Sequence, residues 1–205
     1  MSVNLIVIIV TAIVSYISFS RRDIFYALSL SPYNITHKGQ WYRIVTHGFV
    51  HGSTTHLLVN MFVLWSFGSN VERIFNYISQ DSTTALMLYL SLYIGALIFS
   101  SVYDIQKQKD NYNYNSIGAS GAVTAVVFTS IFFSPWSKIY LFAIVPIPAI
   151  LFGVGYLWYE SYLARRSGDN INHYAHIFGA VFGFIFPIFV DPSLFTQFFS
   201  KLFKF

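Results

Sequence analysis

The sequence predicts an all-α integral membrane protein, a bundle of six spanning helices, and three observations carry that prediction. Of 205 residues, 55% are hydrophobic, 20% aromatic and only 10% charged, too apolar a mixture for a soluble domain of this size. The apolar residues gather in runs of about 17 to 20, and about 20 helical residues cross a hydrocarbon core of roughly 30 Å. Short polar breaks separate the runs, so the chain reads as one compact domain.

The first expected span is 3–19. Its basic pair, Arg21 and Arg22, follows the apolar run and no small-residue cleavage site precedes it, so it reads as a membrane helix and not as a signal peptide. Residues 21–54 form a long connection with turn chemistry in "SPYN" and interface aromatics in "HKGQWYR". It is more apolar than a free loop and is expected to lie partly in the membrane surface. Spans at 56–75 and 84–103 follow, and 104–116 reads as a solvent loop.

The fourth span, 117–133, covers only roughly 25 Å at 1.5 Å per residue, so its Ser120 end is expected to start below the membrane surface. The fifth, 139–159, carries Pro146, Pro148, Gly153 and Gly155, which are expected to bend or loosen it. The sixth, 173–190, is stopped by Asp191-Pro192, and the Phe- and Lys-containing tail beyond reads as an amphipathic segment along the interface. Lys and Arg number eight on the side of the first, third and fifth connections and four on the other, a bias that places the first connection in the cytoplasm.

The formal net charge is +4, but the basic residues are scattered singly or in pairs, which argues against nucleic acid binding. The absence of cysteine removes disulfides, thiolate metal sites and cysteine nucleophiles together.

Polar side chains inside spans are costly and mark function. His56 and Asn60, four apart, share a helix face in "HGSTTHLLVN"; Ser120 sits in "GASG"; His173 and His176 open the sixth span in "HYAHIFGAVFG". A metal reading lacks carboxylates: there is no H-E-x-x-H, and no Asp or Glu lies between residues 24 and 71. Nucleophilic catalysis fits better. A serine hydroxyl needs an imidazole to take its proton and preorganised donors to meet the oxyanion. Ser120 at a helix start has free backbone N–H groups and the positive dipole end, His176 is the candidate base, and His56 and Asn60 are candidate side-chain donors. No Asp or Glu in the later spans is expected to orient the base, so a Ser-His dyad is expected in place of a triad. His47 and His51 read as loop structure and His173 as an interface residue. Gly179 and Gly183 make a G-x-x-x-G face beside His176, and with the small residues Gly118, Ala119, Gly121 and Ala122 they would let the fourth and sixth spans approach closely.

These motifs, in this order, resemble the rhomboid family of intramembrane serine proteases. "QWYRIVTHGFVHGSTTHLLVN" is similar to the family's first-loop motif and its H-x-x-x-N helix, "GASG" to its nucleophile motif and "AHIFGAVFG" to its base-bearing helix. The resemblance implies Ser120 as nucleophile, His176 as general base, and His56, Asn60 and the Ser120 backbone N–H as the oxyanion site. It implies supporting roles for Gly118, Gly179, Gly183 and Arg43. It further implies transmembrane protein substrates, a multi-pass location in the lipid bilayer of a bacterial cytoplasmic membrane, no metal or other cofactor, and a first connection outside the cytoplasm. Thr124 departs from the family, which often has an aromatic residue four positions after the nucleophile, packed on the base. Two other readings stay open: a non-proteolytic relative that binds membrane helices, and a His-liganded metal or haem protein.

Overall fold

The computed structural model describes residues 2–141, 144–166 and 171–203. Six long helices form the bundle: α1 Val3–Ser20, α5 Thr54–Ser79, α6 Ser82–Gln108, α7 Ser120–Phe133, α8 Ala149–Arg166 and α9 His173–Val190. By length and composition, Val3–Ser20, Ser82–Gln108 and His173–Val190 are apolar enough to cross a membrane. The outer faces of α5 and α8 expose Leu58, Phe62, Trp65, Leu151, Val154 and Trp158, an apolar surface suited to lipid.

The 21–54 connection is largely helical. It contains α2 Arg22–Leu28, α3 Pro32–Lys38 and α4 Arg43–Thr46, followed by a single 3₁₀ turn at His47–Phe49. Local chemistry sets these ends: Ser31 caps α3, Pro32 occupies its first turn, and Gly39 closes it at φ +67°. Between residues 104 and 116 the solvent loop starts later than expected, because α6 continues to Gln108 and Asp104 is buried on its inner face.

The fifth span also differs from expectation. Residues 138–148 are an antiparallel ribbon, β1 Lys138–Leu141 with β2 Val145–Pro148, and the helix begins only at Ala149. Pro146 and Pro148 lack the N–H that a helix interior needs, so they fall on the ribbon and outside α8. The backbone N–H groups of Ala149 and Ile150 are taken by Ser137 O and Pro135 O, both at 2.8 Å. α8 then runs on to Arg166, past the expected end at residue 159, and this carries Glu160 into the bundle.

α7 stands at the centre, packed by α5, α6, α8 and α9. Every residue from Gly121 to Phe133 is buried, which explains why this helix is apolar all round. With 14 residues it spans roughly 21 Å, shorter than expected, because Gly118 at φ +106° keeps 117–119 out of the helix. α1 does more than anchor the chain. Its buried Asn4 accepts from the Tyr89 hydroxyl at 2.6 Å, and Ser15 reaches the 21–54 connection. The tail forms α10, Ser193–Phe203, which folds back on the bundle: Phe198 stacks on Phe132 at 5.1 Å, and Lys201 Nζ donates to Phe133 O.

Candidate active site

Ser120 is the first residue of α7, and its side chain is partly accessible. The first N–H groups of a helix have no intrahelical carbonyl, so the Ser120 end presents free donors and the positive end of the helix dipole. The turn before it is held from the 21–54 connection. Gly118 N–H donates to His47 O at 3.0 Å, Ala119 N–H donates to His51 Nε2 at 3.4 Å, and a backbone bridge pairs Leu30 with Ser116.

His51 is fully buried, and its Nε2 accepts, so Nδ1 carries the proton toward Ser15 Oγ at 2.8 Å, which in turn donates to Phe49 O. Burial holds this imidazole down at about 3 and that of His47 at about 4, so both stay neutral at ordinary pH. Arg43 is not at the reacting centre: its buried guanidinium donates to Gln40 Oε1, Tyr26 O and Ser29 O, bracing the connection.

His56 lies in the first turn of α5, capped by Ser53. Its ring covers Gly118 so closely that a Cβ there would stand 2.7 Å from His56 Cε1. The glycine is therefore required twice, by φ and by space. His51 packs edge-on against His56 with centroids 4.9 Å apart. Asn60, one turn on, is buried and donates to His56 O at 3.0 Å.

From the other side α9 brings His176. The two helices meet backbone to backbone: a Cβ on Gly179 would strike Gly121 O, and one on Gly183 would strike Ala125 O. Thr129 Oγ1 locks the seam by donating to Gly183 O at 2.7 Å.

The start of α9 is fixed by Asn172, which the sequence alone did not single out. Its Oδ1 accepts from Ala175 N–H at 3.1 Å, and its Nδ2 donates to Asp104 and to Ser116 Oγ. One side chain thus ties α9 to α6 and to the turn before Ser120. Beside Ser120 is a cavity of about 10 Å³, walled by polar groups including His47, Ser100, Asp104, Ser116 and Asn172. That is room for one water with several hydrogen-bond partners.

The expectation that no acidic side chain of the later spans reaches His176 is corrected. Glu160 on α8 is buried, with Oε1 3.1 Å from His176 Nδ1 and Oε2 2.6 Å from His173 Nδ1. His173 is accordingly a buried partner of Glu160 and not an interface residue. α8 stays helical past residue 159, and on that helix Glu160 faces the first turn of α9. Thr124 also finds a partner from α8, its Oγ1 lying 3.3 Å from the Tyr156 hydroxyl.

Residues 38–192 match the family model of the Rhomboid domain. The chain belongs to the rhomboid family. Among its relatives, "RHOMBOID-like protein 12, mitochondrial" of Arabidopsis thaliana is 28% identical, covering 69% of this chain and 44% of the relative. "Rhomboid protein 1, mitochondrial" of Saccharomyces cerevisiae is 27% identical over 75% of this chain and 43% of its own length. "Rhomboid protease GluP" of Bacillus subtilis is 35% identical over 86 residues, 42% of this chain and 14% of the relative. The chain thus spans less than half the length of these rhomboid relatives.

Proposed function

We propose that this rhomboid is an intramembrane serine endopeptidase that hydrolyses peptide bonds in or near the transmembrane segments of membrane proteins. The observation that carries the reading is the backbone contact of α7 with α9 at Gly121 and Gly179, one residue after Ser120 and three after His176. A side chain at either glycine would push nucleophile and base apart.

In this mechanism the Ser120 hydroxyl attacks the substrate carbonyl carbon while its proton passes to His176. The oxyanion is met by the Ser120 backbone N–H, His56 and Asn60, donors fixed before the reaction starts. His176 then protonates the departing amine, the C–N bond breaks, and an acyl-enzyme remains. Water from the polar cavity beside Ser120 attacks this ester, giving its proton to His176, and the serine is released. No step needs a metal or cofactor. The bacterial protease relative supports the activity. The bacterial membrane expected from the sequence draws no support from relatives with mitochondrial names, so the proposal extends to an integral membrane location alone.

Cleavage of a transmembrane substrate in liposomes, with fluorophosphonate labelling of Ser120, tests the proposal. Ser120→Ala and His176→Ala are expected to lose on the order of 10⁴-fold or more in kcat. His56→Ala is expected to lose roughly 10²- to 10³-fold, the usual cost of one oxyanion donor. Wild-type protein that neither cleaves nor labels would point to a helix-binding role in place of catalysis.

A further inference from the structure

We infer that Glu160 is a positioning residue that fixes the tautomer and orientation of His176, with His173 holding the carboxylate in place, so that the proposed dyad works as a Ser-His-Glu unit. The inference rests on the reading of Ser120 and His176 given above.

His176 Nδ1 is buried, and no described group meets it at hydrogen-bond geometry; the nearest charge is Glu160 Oε1 at 3.1 Å. A buried ring N–H must find an acceptor, and a small turn of either side chain makes this one. The other carboxylate oxygen is held by His173 Nδ1 at 2.6 Å. Glu160 is thus held through one oxygen, with the other left facing His176.

The chemical consequence is specific. A proton on Nδ1 shared with Glu160 leaves Nε2 as the unprotonated nitrogen, able to accept the Ser120 proton. When it does, the imidazolium stands beside a carboxylate instead of alone in a low-dielectric bundle. On the α7 side, Thr124 Oγ1 lies 3.3 Å from the hydroxyl of Tyr156, the residue one turn before Glu160.

Glu160, His173 and His176 also form a cluster of metal-ligand type, with their candidate ligand atoms within 4.8 Å of one another. One distance favours the shared proton over a bound ion. Ligands around one tetrahedral zinc at about 2.0–2.1 Å stand roughly 3.3 Å apart. His173 Nδ1 and Glu160 Oε2 at 2.6 Å are at the separation of a shared proton.

The test joins ¹⁵N-histidine NMR of the full chain in detergent micelles to kinetics. Wild-type His176 is expected as the Nδ1–H tautomer with bare Nε2, and Glu160→Gln is expected to lose that signature. The variant is also expected to lose on the order of 10²- to 10⁴-fold in kcat and in fluorophosphonate labelling, with KM little changed. His173→Ala is expected to show a smaller loss in the same direction. An Nε2–H tautomer in wild-type protein would overturn the inference without any variant being made. So would a Glu160→Gln protein with unchanged kcat, or stoichiometric zinc held by this cluster. If Ser120→Ala and His176→Ala are inactive while Glu160→Gln is not, the positioning role falls and the dyad stands. Cleavage that survives Ser120→Ala would bring down the reading beneath both.

Discussion

α7 meets two of its neighbours, α9 and α8, in opposite ways. Against α9 it has no side chains in between at Gly179 and Gly183, and backbone touches backbone. Against α8 the contact is loose, with a cavity of about 230 Å³ lined by Phe128, Ile131, Val154, Leu157, Val181 and Phe184. The first seam sets how closely α7 and α9 approach, one residue after Ser120 and three after His176. The second leaves the helix that carries Glu160 and Tyr156 with fewer restraints, so the position of Glu160 depends on a small number of polar contacts.

Substituting glycines in the two seams breaks the comparison most directly. Gly183→Ala drives a Cβ into the Ala125 backbone, which cannot swing aside, and is expected to destabilise the protein by about 1–3 kcal/mol with a parallel loss of labelling at Ser120. Thermal unfolding in detergent measures it, and an unchanged Tm would mean the seam relaxes.

Acid probes the turn before Ser120 through its buried histidines. The folded imidazoles of His47 and His51 are held at about 4 and about 3, below the ordinary value of 6.5. Between about pH 6.5 and those values the unfolded chain binds protons that the folded chain does not, so stability is full above pH 6.5 and falls as the pH drops through this window. Protonation of His51 would also set an N–H against the Ala119 N–H. Tm is expected to decrease from pH 7 to pH 4.5, and His51→Gln is expected to flatten that slope.

Gly153→Ala should have the smallest effect. A Cβ there stands 3.2 Å from Ile131 Cδ1 and 3.4 Å from Phe128 Cε1, ends of side chains that can shift toward the cavity. Stability is expected to change by less than about 1 kcal/mol in either direction, the range of a Gly-to-Ala exchange in a compatible helix. A loss as large as that of Gly183→Ala would show that both seams are equally tight.

Much of this molecule was legible in one dimension. Long apolar runs specify membrane helices because hydrocarbon leaves the backbone no other partner, and the spacing of His56 with Asn60 and of Gly179 with Gly183 is a helix-face property that needs no neighbour. The ends of helices were less legible. Residues 104–108 and 160–166 are polar enough to read as loop, yet bundle contacts keep them helical, and 138–148 leaves the helix because its prolines cannot donate.

The sequence by itself determined the class of protein, the serine and histidine candidates, and the glycines through which two helices could touch, since each depends on composition or on local period. Only the tertiary structure decided that Glu160 faces His176, that Asn172 ties the start of α9 to the turn before Ser120, and that His51 holds that turn from 68 residues away. Those contacts join segments far apart in the chain. Their geometry depends on where each helix stops and how it is rotated, which is settled by packing and by the need to satisfy every buried polar group.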